Sequence, residues 1–150
     1  MSRRIALSAV AGAVVLAGAG AFALAYAGDG APALAHSTAR YTAPKDGRDG
    51  SFTFSTEVTA PSGLKSLKVL AWPEKSGLAA EPPTAAEMAR AESARCRPSG
   101  GDTERCTYTV RVTAADAASF PRGSWHVAAL ATDTDGITAL DTSAVDFTVG

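Results

Sequence analysis

The strongest constraint on the fold of this chain is a two-residue alternation of apolar and polar side chains. It is clearest over residues 51–59, where one face carries two phenylalanines and the other carries hydroxyl and acidic groups. That pattern is typical of a β-strand with one buried face. It returns over 40–43, 64–72, 106–113, 124–132 and 137–149, with turn residues at intervals of roughly ten residues. We therefore expect a mainly β fold, an antiparallel immunoglobulin-like β-sandwich.

One stretch departs from the strand pattern and predicts a short inserted helix. Thr84 and Glu87 have the spacing of a capping box, and an Ala-rich run follows to about Arg95. Its weakly apolar stripe is expected to cover the outward side of the second long strand. The side chains expected to meet there are Ala85, Met88 and Ala91 on the helix and Leu70 and Trp72 on the strand. A further helical turn, capped by Thr113, is expected over 114–118.

The amino terminus has the composition of a secretory signal peptide. Arg3 and Arg4 precede residues 5–27, which contain no charged side chain. Ala25 and Ala27 supply the small residues that signal peptidase recognises, so cleavage is expected after Ala27, with Ala35 as a later alternative. The run is also long enough to span a bilayer, so an uncleaved, outward-facing anchor stays open, as does the choice between general and twin-arginine export.

The expected organisation is a signal peptide over 1–27, a flexible stalk over 28–39 and one domain over 40–150. Without its two leading arginines the chain keeps 12 basic against 15 acidic residues and shows no basic cluster along the sequence. Nucleic acid is therefore not an expected partner. We expect a secreted monomer whose partner is an extracellular protein or a cell-wall polymer, with membrane contact only through an uncleaved signal segment.

The two cysteines, Cys96 and Cys106, both fall in the exported part, where an oxidising environment favours their pairing. Residues 97–105 between them are polar and rich in glycine, which predicts a small exposed loop. The bridge is expected to join the end of the helix to the start of a strand. Closing a loop of this length should stabilise the fold by about 2.5 to 3 kcal/mol.

Candidate catalytic and metal-binding residues are few. Only two histidines occur: His36 falls in the expected stalk and His126 lies within a strand. No motif of a nucleophile elbow, zinc protease or phosphate-binding loop accompanies them, so we expect no catalysis and no cofactor. Asp133 and Asp135 resemble the start of a calcium loop, but the distal glutamate is missing, and we expect no metal site there beyond a weak calcium contact.

The stretch Pro121-x-Gly123-x-Trp125-x-Val127, continued to Gly136 and closed by 146–149, resembles the last two strands of bacterial immunoglobulin-like and fibronectin-type domains. Over its whole length the chain also resembles a family of small secreted actinobacterial proteins of unknown function. Both resemblances imply a β-sandwich and neither implies an activity. Antibody domains carry their disulfide between the two sheets, and the spacing here does not allow that arrangement.

These observations favour a secreted, non-catalytic binding or cell-envelope-associated module. Its candidate contact segments are 73–83 and 97–105, which are longer than a strand connection needs. The alternative is a small secreted protease inhibitor that acts through the segment between Cys96 and Cys106. That segment, Cys96-Arg97-Pro98-Ser99, resembles part of the secreted subtilisin inhibitors of actinobacteria, although their second disulfide is absent here.

Overall fold

The computed structural model describes residues 30–150, which fold into eight strands, two short helices and one 3₁₀ turn. The strands are β1 (Ala33–Thr42), β2 (Gly50–Thr59), β3 (Leu64–Pro73), β4 (Glu92–Ser93), β5 (Arg95–Gly100), β6 (Thr103–Val112), β7 (Gly123–Asp133) and β8 (Thr138–Val149). The helices are α1 (Ala85–Met88) and α2 (Ala114–Ser119), and the 3₁₀ turn is Gly77–Ala79.

The strands form two antiparallel four-stranded sheets that pack face to face. The first sheet has the order β1-β2-β6-β5 and the second has the order β4-β3-β7-β8. Immunoglobulin sandwiches place their strands in the order A-B-E-D in one sheet and C-F-G in the other. The two orders are the same when β4 is read as an extra strand beside C. The predicted β-sandwich is therefore confirmed. In each sheet a strand from the first part of the chain pairs with a strand from later in the sequence, β2 with β6 and β3 with β7.

The core lies between the sheets and is built from the inward faces of the alternating strands. Phe52 and Trp125 are fully buried, and the ring of Phe147 lies 4.9 Å from the first and 5.9 Å from the second, centroid to centroid. The indole N–H of Trp125 donates to the carbonyl of Pro121 at 2.9 Å, so its polar atom is satisfied. These aromatic contacts explain why a chain with little leucine and isoleucine still fills its core.

A second, smaller cluster covers the outer face of the second sheet. Met88 of α1 is fully buried against Trp72 and Leu130, with Leu70, Ala85 and Ala91 around it. The predicted cover of this face by the helix is thus confirmed, and so are the capping box at Thr84 and the cap at Thr113, which Asp116 completes as a second capping box.

The predicted extent of α1 is wrong. The helix ends at Met88, and the residues expected to continue it form β4 and the start of β5. The amide of Ala94 donates to the carbonyl of Leu67 at 2.8 Å, and Glu92–Ser93 pair with β3. Sheet hydrogen bonds therefore outweigh the helix propensity of this Ala-rich run.

The predicted stalk is also too long. Residues 33–39 belong to β1, which pairs with β2 from Ala33 opposite Thr59 onward. A bulge between Ala35 and Thr38 interrupts the register, with His36 at φ 54°. The bulge shifts the two-residue alternation by one position, and this hides the strand from pattern analysis.

The predicted signal peptide, including Ala25 and Ala27, lies outside the described residues, so cleavage, anchoring and export stay predictions. Within residues 30–150, no helix has the length and hydropathy needed to cross a membrane.

Candidate functional site

Each of the two histidines is hydrogen-bonded to a carboxylate. His126 lies on β7, where its Nδ1 is 2.6 Å from Oδ1 of Asp146 and its ring contacts that of Trp72 at 4.5 Å between centroids, with the two planes tilted by 44°. The hydroxyl of Ser143 contacts the same carboxylate oxygen at 3.2 Å. In a serine hydrolase the hydroxyl must contact the imidazole instead. In this trio both His126 and Ser143 contact the carboxylate and not each other, so the imidazole is not placed to activate the hydroxyl.

His36 is not on a flexible stalk, as its position in the sequence suggested. It lies in the bulge of β1, and its Nδ1 is 2.8 Å from Oε2 of Glu57. Glu57 also accepts from Arg105 at 2.7 Å. The hydrogen bond from His36, followed by the charges of His36 and Arg105, lowers the pKa of Glu57 and keeps this carboxyl ionised.

Of the two aspartates considered for calcium, Asp133 has a structural role at the turn after β7. Oδ1 of the fully buried Asp133 accepts from the amides of Asp135 at 2.9 Å and Ile137 at 2.8 Å. Such bonds are typical of an aspartate that shapes a turn. Within residues 30–150, no three His, Cys, Asp or Glu side chains converge as metal ligands would.

The disulfide forms as predicted, but in a different setting. Cys96 and Cys106 lie directly opposite each other on β5 and β6, within one sheet. Residues 97–105 are a β-hairpin and not a loop, because the pairing continues through Arg97 and Arg105 to a turn at Gly101 and Asp102. The bridge therefore ties edge strand β5 to β6, whereas the sequence suggested that it would tie a helix end.

The other candidate contact segment, 73–83, is partly used for packing. Leu78 in the 3₁₀ turn contacts the cluster around Trp72, and Pro83 is buried. The amide of Glu74 donates to the carbonyl of Ser124 at 2.9 Å. This segment and α1 together cover the second sheet, so it offers less free surface than its length suggested.

The first sheet has an outer face that no described element covers. Its centre is a set of paired hydroxyl groups on β2 and β6, which we call the hydroxyl array. The pairs are Thr53 with Thr109 at 3.3 Å, Ser55 with Thr107 at 3.2 Å, and Thr59 with Thr103 at 2.9 Å between hydroxyl oxygens. Each hydroxyl has one donor and two acceptor sites, so a pair still has capacity for further hydrogen bonds.

Exposed arginines surround this array, and we call the array and these arginines together the arginine face. They come from outer-facing positions of three strands: Arg40 on β1, Arg95 and Arg97 on β5, and Arg105 and Arg111 on β6. The carboxylates beside them are Glu57, bonded to Arg105, and Asp49, bonded to Arg111. Five arginines against two carboxylates leave the face positive on a chain whose formal net charge is −1.

Sequence reasoning missed this face. Its arginines are spread over seventy residues, so they form no cluster along the chain, and β5 was expected to be a loop. The available indication was the alternation itself: Arg105, Thr107, Thr109 and Arg111 occupy every second position of one strand, opposite its buried face. Only the strand register brings Arg97 opposite Arg105.

A family model described as a family of unknown function, DUF5707, matches residues 34–131, from the start of β1 to near the end of β7. The match begins inside the segment that was expected to be a stalk, in agreement with the position of β1. No curated protein and no solved structure matches the chain. With about two thirds of its length covered by that model, the chain belongs to the DUF5707 family of unknown function.

Proposed function

We propose that this protein is an exported, non-catalytic binding module that attaches to a component of the cell envelope through the arginine face. The observation that carries the proposal is the difference between the two sheets. The outer face of the second sheet is covered by Met88 and its apolar neighbours. That of the first sheet remains open, polar and charged, as a surface for a ligand requires.

Two further observations support export and binding. The amino-terminal sequence has the order of a signal peptide, and a disulfide is typical of proteins that work in an oxidising compartment. His126 and His36 are each hydrogen-bonded to a carboxylate, and among residues 30–150 no side-chain hydroxyl is hydrogen-bonded to either imidazole.

The test is co-sedimentation of the protein with the insoluble cell-envelope fraction of the organism that produces it. We expect the protein to sediment with the envelope at low salt, and a R95Q/R97Q variant to stay mostly in the supernatant. A wild-type protein that stays in the supernatant at every salt concentration would contradict the proposal.

Protease inhibition is the second candidate, because β5 is an edge strand with an exposed Arg97 pinned by the disulfide. An edge strand can pair with a strand of a protease. However, Pro98 has no amide to donate, and the segment is already closed as a hairpin. Inhibition of a trypsin- or subtilisin-like protease that is lost on changing Arg97 or Arg105 would establish this function. If no protease of a panel is inhibited, the inhibitor hypothesis is rejected.

A further inference from the structure

We infer that the arginine face binds an acidic polysaccharide, a linear chain of sugars that carries repeated carboxylates. This inference rests on the proposed function and names the class of its ligand. Three features of the face support an acidic polysaccharide: the spacing of its charges, the hydroxyl array between them, and the absence of aromatic and large apolar side chains among its described residues.

The positive charges form two separate groups, which suits an extended anion. The first is Arg95 and Arg97 on edge strand β5 with Arg105 on β6, directly opposite Arg97. The second is Arg111 and Arg40: Arg111 is six residues further along β6, about 20 Å from Arg105 along the strand, and Arg40 lies toward the same end of the sheet. A small anion can contact only one of these groups, whereas a polymer with repeated charges can contact both.

The guanidinium groups at the β5 edge are available for a ligand. Within the described part of the chain, Arg95 and Arg97 have no acidic partner within ion-pair distance, and both side chains are exposed. A guanidinium offers parallel N–H donors that match the two oxygens of a carboxylate. Placing Arg97 opposite Arg105 costs stability in the free protein, and a bound carboxylate between them removes that cost.

The hydroxyl array lies next to these arginines and favours a sugar over other polyanions. In the strand register Thr107 lies opposite Arg95 on one side and opposite Ser55 on the other. Threonine and serine hydroxyls can both donate to and accept from sugar hydroxyls. A row of such groups between cations therefore matches a polymer in which neutral hydroxyls alternate with carboxylates.

The face lacks the side chains that other anionic partners require. None of its residues in the described chain is aromatic, whereas single-stranded nucleic acids stack their bases on aromatic rings. Among residues 30–150, the large hydrophobic side chain that is exposed is that of Ile137, which lies in the turn between β7 and β8 of the second sheet. An anionic membrane surface would thus find no apolar residue to insert on this face.

The experiment measures binding of the full chain's mature product to immobilised polygalacturonate, a polymer of one uronic acid, by biolayer interferometry. Wild-type protein should bind at about 50 mM salt and release at several times that concentration, because screening weakens exposed ion pairs. R95Q/R97Q should weaken binding about tenfold, since each exposed contact contributes modestly. K65Q/K75Q removes the same charge from exposed positions outside the first sheet and should change affinity less than about twofold.

Two further arms identify the ligand class. Thr107→Val keeps the shape of the side chain and removes its hydroxyl, and should weaken binding to polygalacturonate severalfold. Single-stranded DNA and poly(glycerol phosphate) of similar charge should bind more weakly than polygalacturonate. Equal loss in the arginine and lysine variants, tighter binding of either phosphate polymer, or no binding of polygalacturonate would overturn the inference. If the protein sediments with the cell envelope but does not bind polygalacturonate, the inferred ligand class is rejected and the proposed envelope binding is retained.

Discussion

At the scale of single residues, Gly50 is a position where no side chain fits. It begins β2 and is buried, and a Cβ atom placed on it would lie 2.0 Å from the carbonyl oxygen of Thr42. We expect Gly50→Ala to lower the free energy of unfolding by about 3 kcal/mol, because the backbone must move to relieve the contact. Gly77→Ala is the matched control, since nothing lies within 4 Å of its added Cβ, and it should be neutral. Urea denaturation of both variants compares them, and equal stabilities would show that the chain accommodates the methyl group.

Two buried tyrosines differ in how their hydroxyls are satisfied. The hydroxyl of Tyr41 has no hydrogen-bond partner among the described residues, whereas that of Tyr108 donates to Glu92. Tyr41→Phe should therefore leave stability unchanged or raise it by up to about 1 kcal/mol, and Tyr108→Phe should lower it by about 1 to 2 kcal/mol. The opposite order in thermal denaturation at neutral pH would contradict this assignment.

The same tyrosines predict how stability depends on alkaline pH. Burial, with a smaller contribution from Asp116, raises the pKa of Tyr41 to about 12, and burial and Glu92 raise the pKa of Tyr108. The unfolded chain ionises its tyrosines near pH 10, so the folded state holds more protons above that pH. The free energy of unfolding should fall as the pH rises from about 10 to 12. Denaturation at a series of pH values should show a shallower fall in Tyr41→Phe, and an identical slope would refute the role of Tyr41.

At the scale of elements, α1 is held by packing more than by its own helical preference. It has four residues, too few for a stable isolated helix, but Met88 is fully buried against the second sheet. We expect Met88→Ala to lower the free energy of unfolding by about 3 kcal/mol. Thr84→Ala removes only the cap and should lower it by about 1 kcal/mol. Chemical denaturation tests this order, and a larger loss from Thr84→Ala would show that capping dominates.

The disulfide acts on one element, the edge strand β5. Five of the six β5 side chains are exposed, so its attachment depends on the ladder to β6 and on the bridge. C96A/C106A should lower the free energy of unfolding by about 2.5 to 3 kcal/mol. Hydrogen exchange should show loss of protection in β5 amides with little change in β2. Protection lost evenly through both sheets would argue against a local role for the bridge.

Elements with a clear alternation were predictable, and those decided by tertiary contacts were not. The segments that became β2, β3, β6, β7 and β8 carry their own two-residue pattern, and their positions followed from it. β4 and β5 contain glutamate, serine, arginine, proline and glycine, with no apolar face of their own beyond Cys96. β4 pairs with β3, which is distant in sequence, and β5 pairs with β6 across a turn. The local sequence alone therefore predicted a longer helix in place of β4 and a loop in place of β5. The bulge at His36 hid the first part of β1 in the same way, and only its end, from residue 40, was predicted as a strand.

At the scale of the whole molecule, the candidate site depends on register, which no local pattern reveals. Five arginines separated along the chain meet on one face only because β1, β2, β6 and β5 pair in that order. The cross-strand pair of Arg97 and Arg105 is its least favourable contact. Arg97→Thr should raise the free energy of unfolding by about 0.5 kcal/mol at low salt, and the gain should shrink as salt screens the repulsion. Thermal denaturation at two salt concentrations checks this, and destabilisation at low salt would show that the two arginines do not repel.

The repulsion between Arg97 and Arg105 also affects how this protein tolerates random substitution. At most positions a mutation that raises folding stability leaves function unchanged, but here the stabilising changes should concentrate on two residues of the proposed binding surface. A library selected for thermal resistance alone should enrich neutral side chains at these two positions, while a library selected for retention on the polymer should restore arginine. The two enrichment maps would differ most on one sheet face, and that difference would delineate the binding surface without any prior choice of residues.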